Sequence, residues 1–284
     1  MLVARTIKKT RKIISAVKHK HKTIGFVPTM GALHRGHLSL VKAAKKSCDF
    51  VVVSIFVNPT QFGPKDDFRK YPRVFNCDKR MLQKEKVDLI FYPSAAEMYA
   101  KKFSTYVEEI YLSKPLCGLS RPGHFRGVCT VVAKLFNIIE PDIAYFGQKD
   151  YQQAQIIKRM VEDLNFSTTI KICSTVREQD GLAMSSRNAY LSFEERKDAV
   201  VLSEALNFAE KIIKEGEKDA KKIINKIRKF ILSKKNVKID YVGIVDTESL
   251  RIIEKIQKKA LVVLAVYIGK TRLIDNVIVH RRGS

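Results

Sequence analysis

The stretch Thr23-Ile-Gly-Phe-Val-Pro-Thr-Met-Gly-Ala-Leu-His-Arg-Gly-His37-Leu-Ser-Leu-Val-Lys-Ala-Ala44 changes its pattern twice. Thr23 to Val27 is apolar and partly β-branched, as a strand covered on both faces requires. Pro28 and Gly31 punctuate it. From Leu38 onward, Leu38, Leu40, Val41, Ala43 and Ala44 recur at helical spacing. The stretch therefore reads strand, tight turn, helix, with His34-Arg-Gly-His37 on the junction. Two imidazoles three residues apart at a helix start project to one side. Free backbone N–H groups and the positive end of the helix dipole point the same way. Gly36 lets a ligand approach the backbone. This combination suits holding a triphosphate and stabilising charge that builds up on it. Half of a zinc site is the competing reading. No Cys-x-x-Cys or further His cluster stands nearby to complete one.

Working outward, the 284 residues allow one large domain or two modest ones, and 45% hydrophobic content provides a sizeable core. Cys48, Cys77, Cys117, Cys129 and Cys173 are scattered and odd in number. They make neither a disulfide framework nor a zinc spacing, so a cytoplasmic location is expected. The N-terminus lacks the apolar core of a signal peptide. The longest apolar run, Ala260 to Ile268, is too short to cross a bilayer, so no membrane partner is expected. Lys and Arg number 53 against 29 Asp and Glu, a net charge of +24. Such a balance points either to a nucleic-acid partner or to a lysine-rich surface. The lysines fall on what read as solvated helix faces, with no interleaved stacking aromatics and no Trp. The surface reading is the better one, so no nucleic-acid partner is expected.

In chain order, residues 5–22 carry Ile7, Ile13, Ile14 and Val17 at the spacing of an amphipathic helix. Phe50 to Val57 is apolar throughout and reads as a central strand of a parallel sheet. It runs into Asn58-Pro-Thr-Gln-Phe-Gly-Pro64, a loop at the carboxyl edge of that sheet, where open α/β folds bind ligands. Gln61 can donate and accept there, which suits orienting a hydroxy acid, although an ordinary loop glutamine reads equally well. A helix from Asn76 to Lys86 and a strand from Val87 to Tyr92 follow, then a short helix at 94–100 and extended pieces at 105–108 and 111–112. Leu119 to Gly127 reads as a flexible loop whose two arginines and histidine can close over an anion, or as a basic surface turn. A helix over 128–139 and a strand over 142–146 lead to Gly147-Gln-Lys-Asp-Tyr-Gln-Gln153. Lys149, at a helix start, is placed to bind phosphates; a surface lysine is the plain alternative.

After a strand at 169–173 comes Met184-Ser-Ser-Arg-Asn188, two hydroxyls and a guanidinium fork suited to phosphate. Beyond Ser192 the texture changes: helices at about 193–215 and 219–233, then strands near 239–245, 260–268 and 272–280, the last bent at Asp275-Asn276. The fold class expected is α/β: a Rossmann-like parallel-sheet nucleotide-binding domain over residues 1–180, with a smaller C-terminal α+β lid domain over 181–284.

His-x-Gly-His after a first strand resembles the signature of the nucleotidylyltransferase superfamily, relatives of the class I aminoacyl-tRNA synthetases. The fuller string Val27 to His37 resembles, more narrowly, the pantothenate synthetase (pantoate–β-alanine ligase) family. Asn58-Pro-Thr-Gln-Phe62, Tyr71-Pro-Arg73, Arg121-Pro-Gly-His-Phe-Arg-Gly127, Gly147 to Gln153 and Met184 to Asn188 are similar to that family's motifs and occur in its order, over nearly the whole chain. Two positions depart from the pattern: Thr60 stands where Met is common, and Gln148 where the family has Glu.

The resemblance implies an acid–amine ligase that joins pantoate to β-alanine with the cleavage of ATP to AMP and pyrophosphate, through a pantoyl adenylate. It implies ATP contacts from Met30, Gly31, His34, Gly36, His37, Gly147, Lys149, Asp150, Val176, Met184, Ser185, Ser186 and Arg187. His37, His34 and Lys149 would be the catalytic residues, and Gln61 and Gln153 would hold pantoate and β-alanine. Mg²⁺ would come with ATP as co-substrate, with no metal ligands assigned to the protein. A homodimer is implied on the same ground. Two rival readings stand beside it: a neighbouring enzyme that keeps the adenylyl group on its product, such as phosphopantetheine adenylyltransferase, and an RNA-binding protein on a synthetase-like fold.

Overall fold

A computed structural model describes residues 1–64 and 66–281. The elements in order are β1 (Leu2–Ala4), α1 (Ile7–Lys18), β2 (Ile24–Thr29), α2 (Arg35–Ser47), β3 (Phe50–Ile55), α3 (Phe75–Lys84), β4 (Leu89–Phe91), α4 (Ala95–Met98), α5 (Cys117–Ser120), α6 (His124–Ile139), β5 (Ile143–Gly147), α7 (Tyr151–Asp163), β6 (Thr169–Cys173), α8 (Phe193–Ala199), α9 (Val201–Lys214), α10 (Ala220–Ile231), β7 (Val237–Val245), β8 (Lys259–Ile268) and β9 (Thr271–His280). They form two compact units. The first comprises Met1–Ser113, Arg121–Gln148 and Gln153–Ser174. The second takes in Lys114–Ser120, Lys149–Gln152 and the chain from Thr175 onward.

The first unit holds a six-stranded parallel sheet in the order β1-β4-β3-β2-β5-β6. β2 and β3 are buried over nearly their whole length, as their unbroken apolar runs require. Helix α2 covers them with Leu40, Val41 and Ala44. Removing a side chain such as Leu40 or Val41 from water contributes roughly 1.5–3 kcal/mol. The strand order reverses at β2, with β3, β4 and β1 on one side and β5 and β6 on the other. β2 pairs with β5 only at Gly25 and Phe26; beyond that, Val27 to Thr29 pair with β3 alone, and Tyr145 to Gly147 with β6 alone. The two strands part at their carboxyl ends, which is the switch-point crevice where open α/β sheets bind ligands. Pro28 lies in the parted section, where a missing N–H leaves no β5 partner unsatisfied.

Several expectations are corrected here. β1 precedes the strand read as first; three residues are too few to show a period, and only pairing with β4 defines it. Residues 105–108 and 111–112 join no ladder among the described residues; the Val107 N–H donates instead to Thr130 Oγ1 on α6 (3.0 Å). Helix α6 begins at His124 rather than 128, because Gly123 at φ +77° supplies the left-handed entry. The helix read over 193–215 is interrupted at Val200, where α8 ends and α9 starts.

The second unit has a three-stranded antiparallel sheet, β7-β8-β9, covered by α9 and α10. Ile223, Ile227 and Ile231 recur every fourth residue on α10 and are fully buried. β9 keeps one continuous register against β8 through Asp275 and Asn276, so no bulge interrupts the strand there. Within this unit Gln152 ties its two short segments together. Its Oε1 accepts from the Cys117 N–H (3.1 Å), and its Nε2 donates to the Pro115 carbonyl (2.7 Å). The Tyr151 hydroxyl donates to the Thr247 carbonyl (3.0 Å).

Candidate active site

The loop after β2 is built backwards from a helix cap. His34 is the N-cap of α2, and its Nδ1 accepts from the Gly36 N–H (3.1 Å). His37, in the third helical position, turns its Nδ1 back to the His34 N–H (3.4 Å). The pair thus fills a capping box made of imidazoles rather than hydroxyl and carboxylate. The ring centroids lie 4.0 Å apart. Gly31 sits at φ +83°, a conformation that side chains resist. Asp78 of α3 holds the turn from beneath: its carboxylate accepts from the Ala32 N–H (3.0 Å) and the Leu33 N–H (2.8 Å). Burial pushes the Asp78 carboxyl above its ordinary value, against the pull of those two N–H groups.

The loop after β3 is organised by Asn58, which is 1% exposed. Its Nδ2 donates to Gln61 Oε1 (3.0 Å) and to the Gly127 carbonyl (3.1 Å). Its Oδ1 accepts from the Tyr99 hydroxyl (2.7 Å) and the Thr60 hydroxyl (2.9 Å). Thr60, the departure noted above, is thereby part of the network. With Gln61 Oε1 engaged by Asn58, its Nε2 donates to Met30 Sδ at 3.3 Å. The loop is pressed onto α6, where a Cβ at Gly127 would stand 2.3 Å from the Thr60 carbonyl oxygen. Arg121 donates to Asp66 (2.8 Å), and His124 Nδ1 meets the Gln61 carbonyl (2.8 Å). Arg121 and His124 are accordingly anchored within this unit. Burial pushes the Asp66 carboxyl up, but the Arg121 hydrogen bond and the Gly63 N–H bring it below its ordinary 3.8.

Of the remaining candidates in the first unit, Gly147 ends β5 and Gln153 lies half-buried on α7. Gln148 is half-buried in the 3₁₀ turn Gln148–Asp150. The other candidates belong to the second unit. Lys149 Nζ is 3.7 Å from Asp150. Val176 and Met184 close a short hairpin, the Met184 N–H donating to the Val176 carbonyl (3.0 Å). Ser185 caps the 3₁₀ turn Ser186–Tyr190, its Oγ accepting from the Arg187 N–H (3.2 Å). Asn58 and Asp78 escape sequence reading: one resembles a turn residue before proline, the other a first-turn helix aspartate, and only long-range partners distinguish them.

The sheet, the crevice and the paired imidazoles fit a nucleotide-binding α/β enzyme, and comparison identifies which. A family model described as pantoate-beta-alanine ligase matches residues 2–278. The chain belongs to that family. It is 57% identical over 282 residues to the pantothenate synthetase of Thermotoga neapolitana, covering 98% of this chain and 99% of that one. A crystal structure of pantothenate synthetase from Thermus thermophilus superposes with a TM-score of 0.93 at 42% identity, covering 98% and 99% of the two chains. That of the pantoate-beta-alanine ligase from Francisella tularensis, complexed with beta-gamma ATP and beta-alanine, gives 0.80 at 38% identity over 98% and 97%. The α/β class expected from the sequence is the observed one, with its parallel sheet and smaller antiparallel partner. ATP-dependent ligation of pantoate and β-alanine is the reading these matches favour over the two rivals. Among the described residues no helix is long and apolar enough to cross a membrane.

Proposed function

We propose that the residues above carry out the ligation in two half-reactions. First, the pantoate carboxylate attacks the α-phosphorus of ATP; a P–O bond forms, the bond to the β-phosphate oxygen breaks, and pyrophosphate leaves. The β-alanine amine then attacks the acyl carbon of pantoyl adenylate, the amide forms and AMP departs. The protein supplies no covalent nucleophile, so its contribution is positioning and charge stabilisation. The observation that carries this reading is the imidazole pair at the start of α2, beside the parted ends of β2 and β5.

His34 and His37 donate hydrogen bonds to the phosphates as negative charge builds at the α-phosphorus. Met30, Gly31, Gly36 and Gly147 offer main chain to the nucleotide. Gln61, turned by Asn58, offers its amide N–H to pantoate, with Gln153. In the second unit Lys149, Asp150, Val176, Met184, Ser185, Ser186 and Arg187 serve the nucleotide, the cations and hydroxyls neutralising departing pyrophosphate. Among the described residues no group of three His, Cys, Asp or Glu side chains lies close enough to cage a metal. Mg²⁺ would arrive with ATP, keep several waters and offset triphosphate charge. A cytoplasmic homodimer without a nucleic-acid partner completes the reading; light scattering and RNA binding across a salt series test those two parts.

The deciding experiment is exchange of pyrophosphate into ATP with pantoate present and β-alanine absent. Pantoate-dependent exchange is the expected result. A folded, ATP-binding protein without it would overturn the adenylate route.

A further inference from the structure

β9 is an edge strand whose neighbours in sequence are apolar: Leu273, Ile274, Val277, Ile278 and Val279. At its centre stand Asp275 and Asn276, 2% and 4% exposed. Burying a carboxylate and an amide is costly unless each is hydrogen-bonded. The partners are specific. Arg177 grips Asp275 with both prongs, Nη1 to Oδ2 at 2.6 Å and Nη2 to Oδ1 at 3.1 Å. The same Nη1 donates to the Gly181 carbonyl (3.0 Å). Arg177 is bridged to Ala183 across the hairpin that Val176 and Met184 close. That hairpin runs straight into Ser185, Ser186 and Arg187. Next along the strand, Asn276 Nδ2 donates to the main-chain carbonyl of Lys149 (2.9 Å).

Two adjacent residues of one rigid strand therefore hold two segments remote in sequence, one ending in the Ser-Ser-Arg turn and the other carrying Lys149. An edge strand needs no buried charge to stay folded, and apolar residues would extend the core beside Leu273 and Val279. The fork-to-fork geometry fixes direction as well as distance. Phosphate ligands gain from such fixing, because a misplacement of about 1 Å costs roughly 10²-fold in rate.

We propose that Asp275 and Asn276 are positioning residues for adenylate formation: Asp275 sets the Ser185–Arg187 turn through Arg177, and Asn276 sets Lys149 through its carbonyl. The proposal rests on the assignment of Lys149 and Ser185–Arg187 to the ATP phosphates.

Asn276→Ala and Asp275→Asn in the full chain test it, with both half-reactions measured: pantoate-dependent exchange of pyrophosphate into ATP, and β-alanine-dependent consumption of supplied pantoyl adenylate. Exchange is expected to fall about 10- to 100-fold, while consumption of the adenylate is unchanged. A purely structural role would lower both in step with the folded fraction, and that result would overturn the proposal, as would no change in either. Asp275→Asn removes half of a buried ion pair and is the variant at risk of not folding. Asn276→Ala removes the neutral hydrogen bond to the Lys149 carbonyl and keeps the test decisive. Adding Asn276→Ala to Lys149→Ala is expected to cost nothing further, since the two act through one group; additive losses would overturn the Asn276 arm. If Lys149→Ala alone leaves exchange intact, the assignment of Lys149 fails first and the Asn276 arm falls with it.

Discussion

The imidazole rings of His34 and His37 lie 4.0 Å apart at a tilt of 39°, each with Nδ1 turned to a main-chain N–H of the same helix start. An Nδ1 that accepts a hydrogen bond carries no proton, so the neutral ring keeps its proton on Nε2. The cap thereby selects the tautomer that leaves Nε2–H as a donor on each ring. The helix start gains two capping contacts from this pair, and under the proposed function the same two side chains offer donors to the nucleotide.

Changing His37 to Ala removes one of those donors and one capping contact. Adenylate formation should fall about 10²-fold or more, the scale for a lost transition-state donor. Stability should fall only about 0.5–1 kcal/mol, the scale of a capping contact. Pyrophosphate exchange and a urea melt on one preparation separate the two. Near-normal exchange in the folded variant would remove His37 from the mechanism.

Asn58 turns Gln61, so Asn58→Asp should act on pantoate without acting on ATP. The carboxylate cannot donate to Gln61 Oε1, and the amide loses its orientation. KM for pantoate should rise about tenfold, equivalent to one hydrogen bond of roughly 1.4 kcal/mol. Equal shifts in KM for ATP and for pantoate would show that Asn58 shapes the site as a whole.

Gly127 admits the 58–61 loop onto α6. An added methyl group would meet the Thr60 carbonyl oxygen at 2.3 Å and the Gln61 nitrogen at 2.6 Å, both main chain. Gly127→Ala should cost about 1–3 kcal/mol of stability, as overpacking does, and weaken pantoate binding with it. An unchanged urea midpoint would contradict the close approach.

Asp66 and Asp78 should give acid responses of opposite sign. The Asp66 carboxyl is held below 3.8 in the folded chain, net of burial, by Arg121 and the Gly63 N–H. The native state then binds fewer protons than the unfolded one, so this stabilisation is present above 3.8 and is lost as pH falls through the folded value. Asp78 is raised by burial, so its ionisation costs stability as pH rises from 3.8 through the folded value. Stability measured from neutral into acid should decline less steeply for Asp66→Asn than for the parent chain. For Asp78→Asn the decline should steepen. The reverse order would show that the two assignments of sign are wrong.

Much of the chain is legible from local pattern. The apolar runs at β2 and β3, the strand–turn–helix at residues 23–44 and the helix-then-strand order after Ser192 are each readable because burial imposes a period on neighbouring residues. The His-x-Gly-His junction and the Met184-Ser-Ser-Arg turn are readable because their residues lie together within a few positions of the chain. Other features depend on contacts between distant segments. β1 exists only because β4 pairs with it, and α6 starts early because Gly123 adopts a left-handed turn. The Lys149 segment belongs to the second unit because Gln152 and Asn276 bind it there. Asn58, Asp78, Asp275 and Asn276 look like ordinary polar residues in the chain. What makes each one matter is a hydrogen bond that is local in space and distant in sequence, and a one-dimensional period carries no trace of it.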